Sequence, residues 1–133
     1  MGTRSLTFVY DSSGLNGESE PIMCIYRQYD GYPSCHGHEL AQFLNSKTLV
    51  NGYGEQNSFE ANGMGCLAAQ LIVQLKHGVG GIYIYPVSST DCFQDYEYHV
   101  YEDKVVVKDP TAVIFEGTWE EFRQFCLDPI SAE

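Results

Sequence analysis

The sequence predicts an α+β domain: an antiparallel sheet of about five to six strands with three helices, in the order ββααββββα. Three observations predict it. Short runs alternate apolar and polar residues, as half-buried strands do. One apolar stripe at helical spacing lies in the middle of the chain. Turn dipeptides separate the runs, so hairpins dominate and no strand–helix alternation persists. The chain has 133 residues and shows neither linker nor internal repeat, so it reads as a single domain, residues 1–133.

Ser5–Tyr10 places Leu6, Phe8 and Tyr10 against Thr7 and Val9, which makes a first strand. Asp11–Pro21 holds Gly14, Asn16-Gly17 and Pro21 and reads as a hairpin loop. Ile22–Tyr29 returns, with Met23, Ile25 and Arg27 on one face and Cys24, Tyr26 and Gln28 on the other. Asp30-Gly31-Tyr32-Pro33-Ser34 is turn chemistry throughout, and a short helix over His38–Asn45 follows it. Asn51–Asn62 is loop-like. Met64, Leu67, Ala68, Leu71, Ile72 and Leu75 then form one apolar stripe, and His77-Gly78 ends that helix. Ile82–Tyr85 is a strand whose expected partners are Tyr96–Glu102 and Lys104–Lys108, themselves a tight hairpin. Ala112–Phe115 is the last strand. Thr118 and Glu121 fit a capping box for a final helix with Trp119, Phe122 and Cys126 inward.

Composition bounds the function. There are 18 acidic and 7 basic residues, a net charge of −11. From Asp91 to Glu133, 11 acids face Lys104, Lys108 and Arg123, which concentrates the negative charge. So few cations cannot neutralise many phosphates, which argues against general nucleic-acid binding and against anionic membranes. The five cysteines are widely spaced without a CxxC pair, so neither a disulfide framework nor a zinc knuckle is expected. No secretory leader or membrane-length apolar run is read, and the cytoplasm is the expected compartment.

Arg27–His38 is the densest group of functional side chains, at a strand–helix junction of the kind that often holds sites. A metal reading would combine Cys35 and His38 with His77 or His99, but lacks a converging third ligand; no metal is expected. A thiol reading would activate Cys35 through the helix start and His36 or His38. Asn62-Gly63-Met64-Gly65-Cys66 opens the clearest helix and could hold an anion on Gly63 and Gly65, yet it matches no phosphate or dinucleotide fingerprint, so no cofactor is expected. Arg4 and Arg27 could be neighbours because the first two strands are expected to pair, and two arginines on an otherwise acidic chain argue for a local anionic ligand. Tyr83, Tyr85, Tyr96 and Tyr98 would make an aromatic patch if their strands lie side by side, or pack beneath the helices.

The start Met1-Gly2-Thr3-Arg4-Ser5-Leu6-Thr7 and the later Gln28-Tyr29-Asp30-Gly31-Tyr32-Pro33-Ser34 resemble small uncharacterised phage and bacterial proteins that open MGTR-x-LT and carry Q-[YW]-D-G-Y-P-S-G. Asn62–Cys66 and Gly81–Pro86 are similar to later parts of the same group. The resemblance implies a phage, mobile-element or environmental bacterial origin and no particular activity. Where the group has Gly, this chain has Cys35, while Arg4, Asp30 and Tyr32 sit at matching positions.

The expected function is therefore a small binding protein. It would hold an anionic ligand or a partner protein through Arg4, Arg27, Asp30 and Tyr32, with Gly63 and Gly65 contributing if the fold brings them close. Two alternatives stand beside it. One is a small hydrolase or transferase using His36 or His38 with Asp30 as an acid–base pair. The other is an acidic decoy that binds a basic host protein through Asp91–Glu133. The oligomeric state is open, since a Tyr-bearing strand could also be an oligomer edge.

Overall fold

The computed structural model describes residues 2–12, 20–52 and 59–127. Its elements are β1 (Ser5–Tyr10), β2 (Pro21–Arg27), a π-helical turn (Pro33–Gly37), α1 (His38–Asn45), β3 (Thr48–Val50), β4 (Glu60–Asn62) and α2 (Gly63–Leu75), followed by β5 (Ile82–Tyr85), β6 (Tyr96–Val100), β7 (Val105–Lys108), β8 (Val113–Gly117) and α3 (Trp119–Leu127). The α+β class and the three helices are as expected. The hairpin tip read between the first two strands lies outside the described residues.

Six strands form one sheet in the order β5-β2-β1-β6-β7-β8, and β3 and β4 form a separate parallel pair. The main sheet is mixed, a correction to the antiparallel expectation. β1 runs antiparallel to β2 but parallel to β6, with Ser5 opposite Tyr96 and Val9 opposite Val100. β5 pairs with β2, not with β6 or β7. The ten residues Pro86–Asp95 therefore carry the chain from an edge strand across to the centre. β4 lies within the segment read as loop; its three residues are too few to show alternation.

The two sheet faces differ in what covers them. Odd positions of β1 and β2 and even positions of β6 point to the helices, where Val9, Ile25, Tyr98 and Val100 join the buried sides of all three helices. α2 is the main element, burying Met64, Leu67, Ala68, Leu71 and Leu75 along one stripe. At about 1.5–3 kcal/mol for each large apolar side chain, that stripe dominates the core. α3 starts on the expected box: the Glu121 N–H donates to Thr118 Oγ1 at 3.1 Å and the Thr118 N–H to Glu121 Oε1 at 2.8 Å. On the opposite face Leu6, Phe8, Tyr10 and Cys24 form a smaller cluster, flanked by Tyr26, Tyr85, Cys92 and Tyr101.

Candidate functional site

The site grows from the way β2 stops. Asp30 adopts φ 59, a left-handed conformation that Asp tolerates better than most residues, and this turns the chain back over β1. Gly31 then passes so close that a Cβ would fall 2.8 Å from Ser5 Cβ and 2.9 Å from the backbone carbon of Arg4. Its N–H donates to Thr3 O at 2.9 Å, and its carbonyl accepts from the Tyr98 hydroxyl at 2.7 Å. The Asp30 carbonyl accepts the His36 N–H at 3.0 Å, locking the turn onto the π-helical segment.

That segment drives His36 wholly inside the protein. One ring nitrogen, Nδ1, lies 3.2 Å from Arg27 Nη1, and the other, Nε2, lies 2.7 Å from Thr7 Oγ1. A guanidinium only donates, so Nδ1 must accept and Nε2 must carry the proton, which it gives to Thr7. Burial, and then the charge of Arg27, depress the His36 pKa from 6.5 to about 3. The imidazole is thus neutral at physiological pH and has no free nitrogen. This removes His36 from the acid–base pair expected with Asp30, whose contact to it is through the backbone carbonyl. His38 opens α1, half-buried.

Arg27 is held at three points. Besides His36, its Nε donates to Tyr29 O at 2.9 Å, and its fork meets the Glu39 carboxylate at 3.0 and 3.3 Å. The arginine side chain is 16% exposed and the glutamate 50%. The pair stands in the wall of a cleft of about 440 Å³, shared with Tyr29, Asp30, Leu75 and His77. Gln74 of α2, Gly80, Gly81 and Ile82 complete the wall.

The other expected residues are distributed elsewhere. Ser5, not Arg4, lies opposite Arg27, so Arg4 and Arg27 point to opposite faces. The charge of Arg4 is felt by Tyr26, and its backbone binds Asp95, where the Arg4 N–H donates to Asp95 Oδ2 at 3.1 Å. Tyr32 hydrogen-bonds Cys35, which raises the phenol pKa, helped by the charges of Cys35 and Asp30. Gly63 and Gly65 open α2, whose far end lines the cleft at Leu75; 12 and 10 residue steps of about 1.5 Å put them roughly 18 and 15 Å away along the helix. The four tyrosines do not form one patch either. Tyr98 packs edge-on to His36 and Phe122 inside the helix-side core. Tyr83 and Tyr85 instead gather round Tyr26 on the other face, with centroids 6.0 and 4.7 Å away.

One constellation was not read from sequence. On the face away from the helices, Tyr10 hydroxyl lies 2.7 Å from His99 Nδ1, and His99 Nε2 lies 3.0 Å from Glu97 Oε1. Gln94 Nε2 donates to the second oxygen of Glu97 at 3.0 Å. The hydrogen bond from His99, with that from Gln94, lowers the Glu97 pKa although burial opposes it, and burial raises that of Tyr10. A carboxylate accepts, so His99 donates to Glu97 from Nε2. Glu97 and His99 sit two apart on one strand face, which sequence shows; Tyr10 joins them only through the parallel β1–β6 pairing.

Glu97 also borders a notch of about 310 Å³ with Asp91, Asp95, Lys108 and Asp109. These acids are committed to the fold. Asp91 Oδ1 accepts the Phe93 N–H at 3.2 Å, and Asp109 Oδ1 accepts the N–H groups of Thr111 and Ala112 at 2.8 and 2.9 Å. Among the described residues no three His, Cys, Asp or Glu side chains converge as metal ligands, and no helix is long and apolar enough to cross a membrane. Comparison with protein-family models, curated proteins and solved structures finds no match.

Proposed function

We propose that the protein is a binding protein for a small anion carrying a carboxylate or phosphate group, held on Arg27 in the cleft between β2, α1 and the end of α2. The observation that carries the reading is the asymmetry of the Arg27–Glu39 pair. The guanidinium is mostly buried and fixed from behind by Tyr29 O and His36 Nδ1, while the glutamate is half exposed. Glu39 occupies the place a ligand's oxygens would take on the fork. A bidentate arginine–oxyanion pair is the strong, directional form of this contact. The ligand exchanges with Glu39 and leaves the other two bonds of Arg27 in place. Tyr29 and Leu75 offer the rest of the ligand an apolar border, and Asp30 with His77 a polar one.

The test measures binding of inorganic phosphate and acetate by calorimetry in the wild type, Glu39→Gln and Arg27→Gln. Exposed ion pairs are worth about 0.2–1 kcal/mol, so releasing Arg27 from Glu39 should tighten binding by up to roughly fivefold. Arg27→Gln should abolish it. Equal affinity in wild type and Arg27→Gln, or no gain in Glu39→Gln, would remove the reading.

A further inference from the structure

We infer that the β5 edge of the sheet, with the exposed side of α2 beside it, is the interface through which two copies of this chain associate. Between Glu60 and Asp91, thirty residues carry a single formal charge, Lys76, in a chain of net charge −11. Those residues build α2 and β5. Like-charged copies repel across all their acidic surfaces, so the neutral surface is where they can approach.

That surface is also apolar. Val73 is 79% exposed, Ile84 63%, and Tyr83 42%. Lys76 shows that α2 and the strand edge share a side, because its ammonium donates to Gly80 O at 3.0 Å and to Ile82 O at 2.8 Å. Val73 is one turn before Lys76 and so flanks the same edge.

The backbone of β5 narrows the mode of pairing. Gly81 O accepts from Gln28 N, and Tyr83 and Tyr85 lie opposite Tyr26 and Cys24, so alternation turns Ile82 and Ile84 outward. Ile82 is already used: its N–H bonds Gly80 O at 2.9 Å and its carbonyl holds Lys76. Pro86, the next outward position, has no N–H. Ile84 alone offers a free outward N–H and carbonyl, one donor and one acceptor on one residue. A two-fold axis through Ile84 pairs each with the other in its copy. It sets Tyr83 against Tyr85 of the second copy on one face and Ile84 against Ile84 on the other. It also places each Ile82 opposite a Pro86, where a strand bond is neither possible nor needed.

Sedimentation velocity of the full chain, over a concentration series at low and high sodium chloride, tests this. A dimer should form, and its dissociation constant should fall as salt screens the repulsion between the two copies. Ile84→Lys, at an exposed position, should weaken it at least tenfold. Ile84→Pro should do the same, since it deletes only an outward donor and edge strands accept such prolines; circular dichroism checks that both variants fold. A wild type that stays monomeric to about 1 mM, well above the micromolar range of specific interfaces, overturns the inference. So does a dimer that dissociates with added salt, or one that persists in Ile84→Lys.

Discussion

His36 gives the sharpest test of the fold around the cleft, because its burial makes stability depend on pH in a calculable way. An unfolded chain protonates this histidine near 6.5, whereas the folded protein resists protonation until about 3. Above pH 6.5 both states are neutral and its contribution to stability is complete. Between the two values the unfolded state binds a proton that the folded state refuses, so stability falls as pH drops, by about 1.4 kcal/mol per unit. From pH 7 to pH 5 the loss is about 2 kcal/mol, and over the whole window about 5 kcal/mol. Carboxylates with lowered pKa, such as Glu97, act in the same direction but only below their unfolded value, 4.5 for this residue. The range from pH 7 to 5 therefore isolates histidine. Urea unfolding at half-unit steps should show the slope in the wild type and lose it in His36→Gln, which is less stable throughout because Arg27 and Thr7 lose their shared partner. Should that variant not fold, the His36 ring resonances of the wild type must stay fixed by NMR from pH 8 to about pH 5, where burial keeps the ring neutral. A flat wild-type profile, an unchanged slope in the variant, or a ring that titrates near 6.5 would refute the buried, neutral assignment.

Other perturbations probe the same framework. Gly31→Ala places a methyl against the backbone of Arg4 and Ser5 and should cost about 1–3 kcal/mol in urea unfolding, with no effect expected if the turn stood clear of β1. Tyr98→Phe removes the donor to a buried carbonyl, Gly31 O, and should cost about 1–3 kcal/mol by the same assay. Leu71→Ala, in the wholly buried stripe of α2, should cost about 2–5 kcal/mol; a loss below 1 kcal/mol would contradict the placement of that helix in the core.

The parts of the fold carried by local pattern were legible in the sequence. The alternation Leu6, Phe8, Tyr10 and the stripe Met64 to Leu75 each report one element's own burial, and both lie as their periodicity demands. Strand order was not legible, because it is decided by contacts between distant residues. The central parallel pair joins segments whose first contact spans 91 positions, Arg4 to Asp95. β5 was matched to its neighbours in sequence, yet β2 had an open edge and Pro86–Asp95 is long enough to cross. The candidate site shows the same division. Sequence found the dense segment from Arg27 to His38. It could not say that a register of Ser5 opposite Arg27 turns Arg4 to the other face. Nor could it say which of two histidines two residues apart would be buried.

The segments that carry the resemblance meet in the fold. The opening segment and the Asp30-Gly31 turn are packed on each other: any side chain on Gly2 would meet Tyr29 and Gln28 O, Thr3 O receives the Gly31 N–H, and Thr7 binds His36. Arg27 and His36 are thus engaged in fixing the shape of the strand–helix junction. His36, itself bonded to Thr7, and the carbonyl of Tyr29 hold Arg27. For the proposed anion binding, an arginine immobilised on two sides loses little further entropy, and the contact to be exchanged is the one to Glu39, 50% exposed against 16% for Arg27. Affinity at the proposed site would be set by competition between two oxyanions for one preorganised fork, and Glu39 is the residue through which it would be tuned.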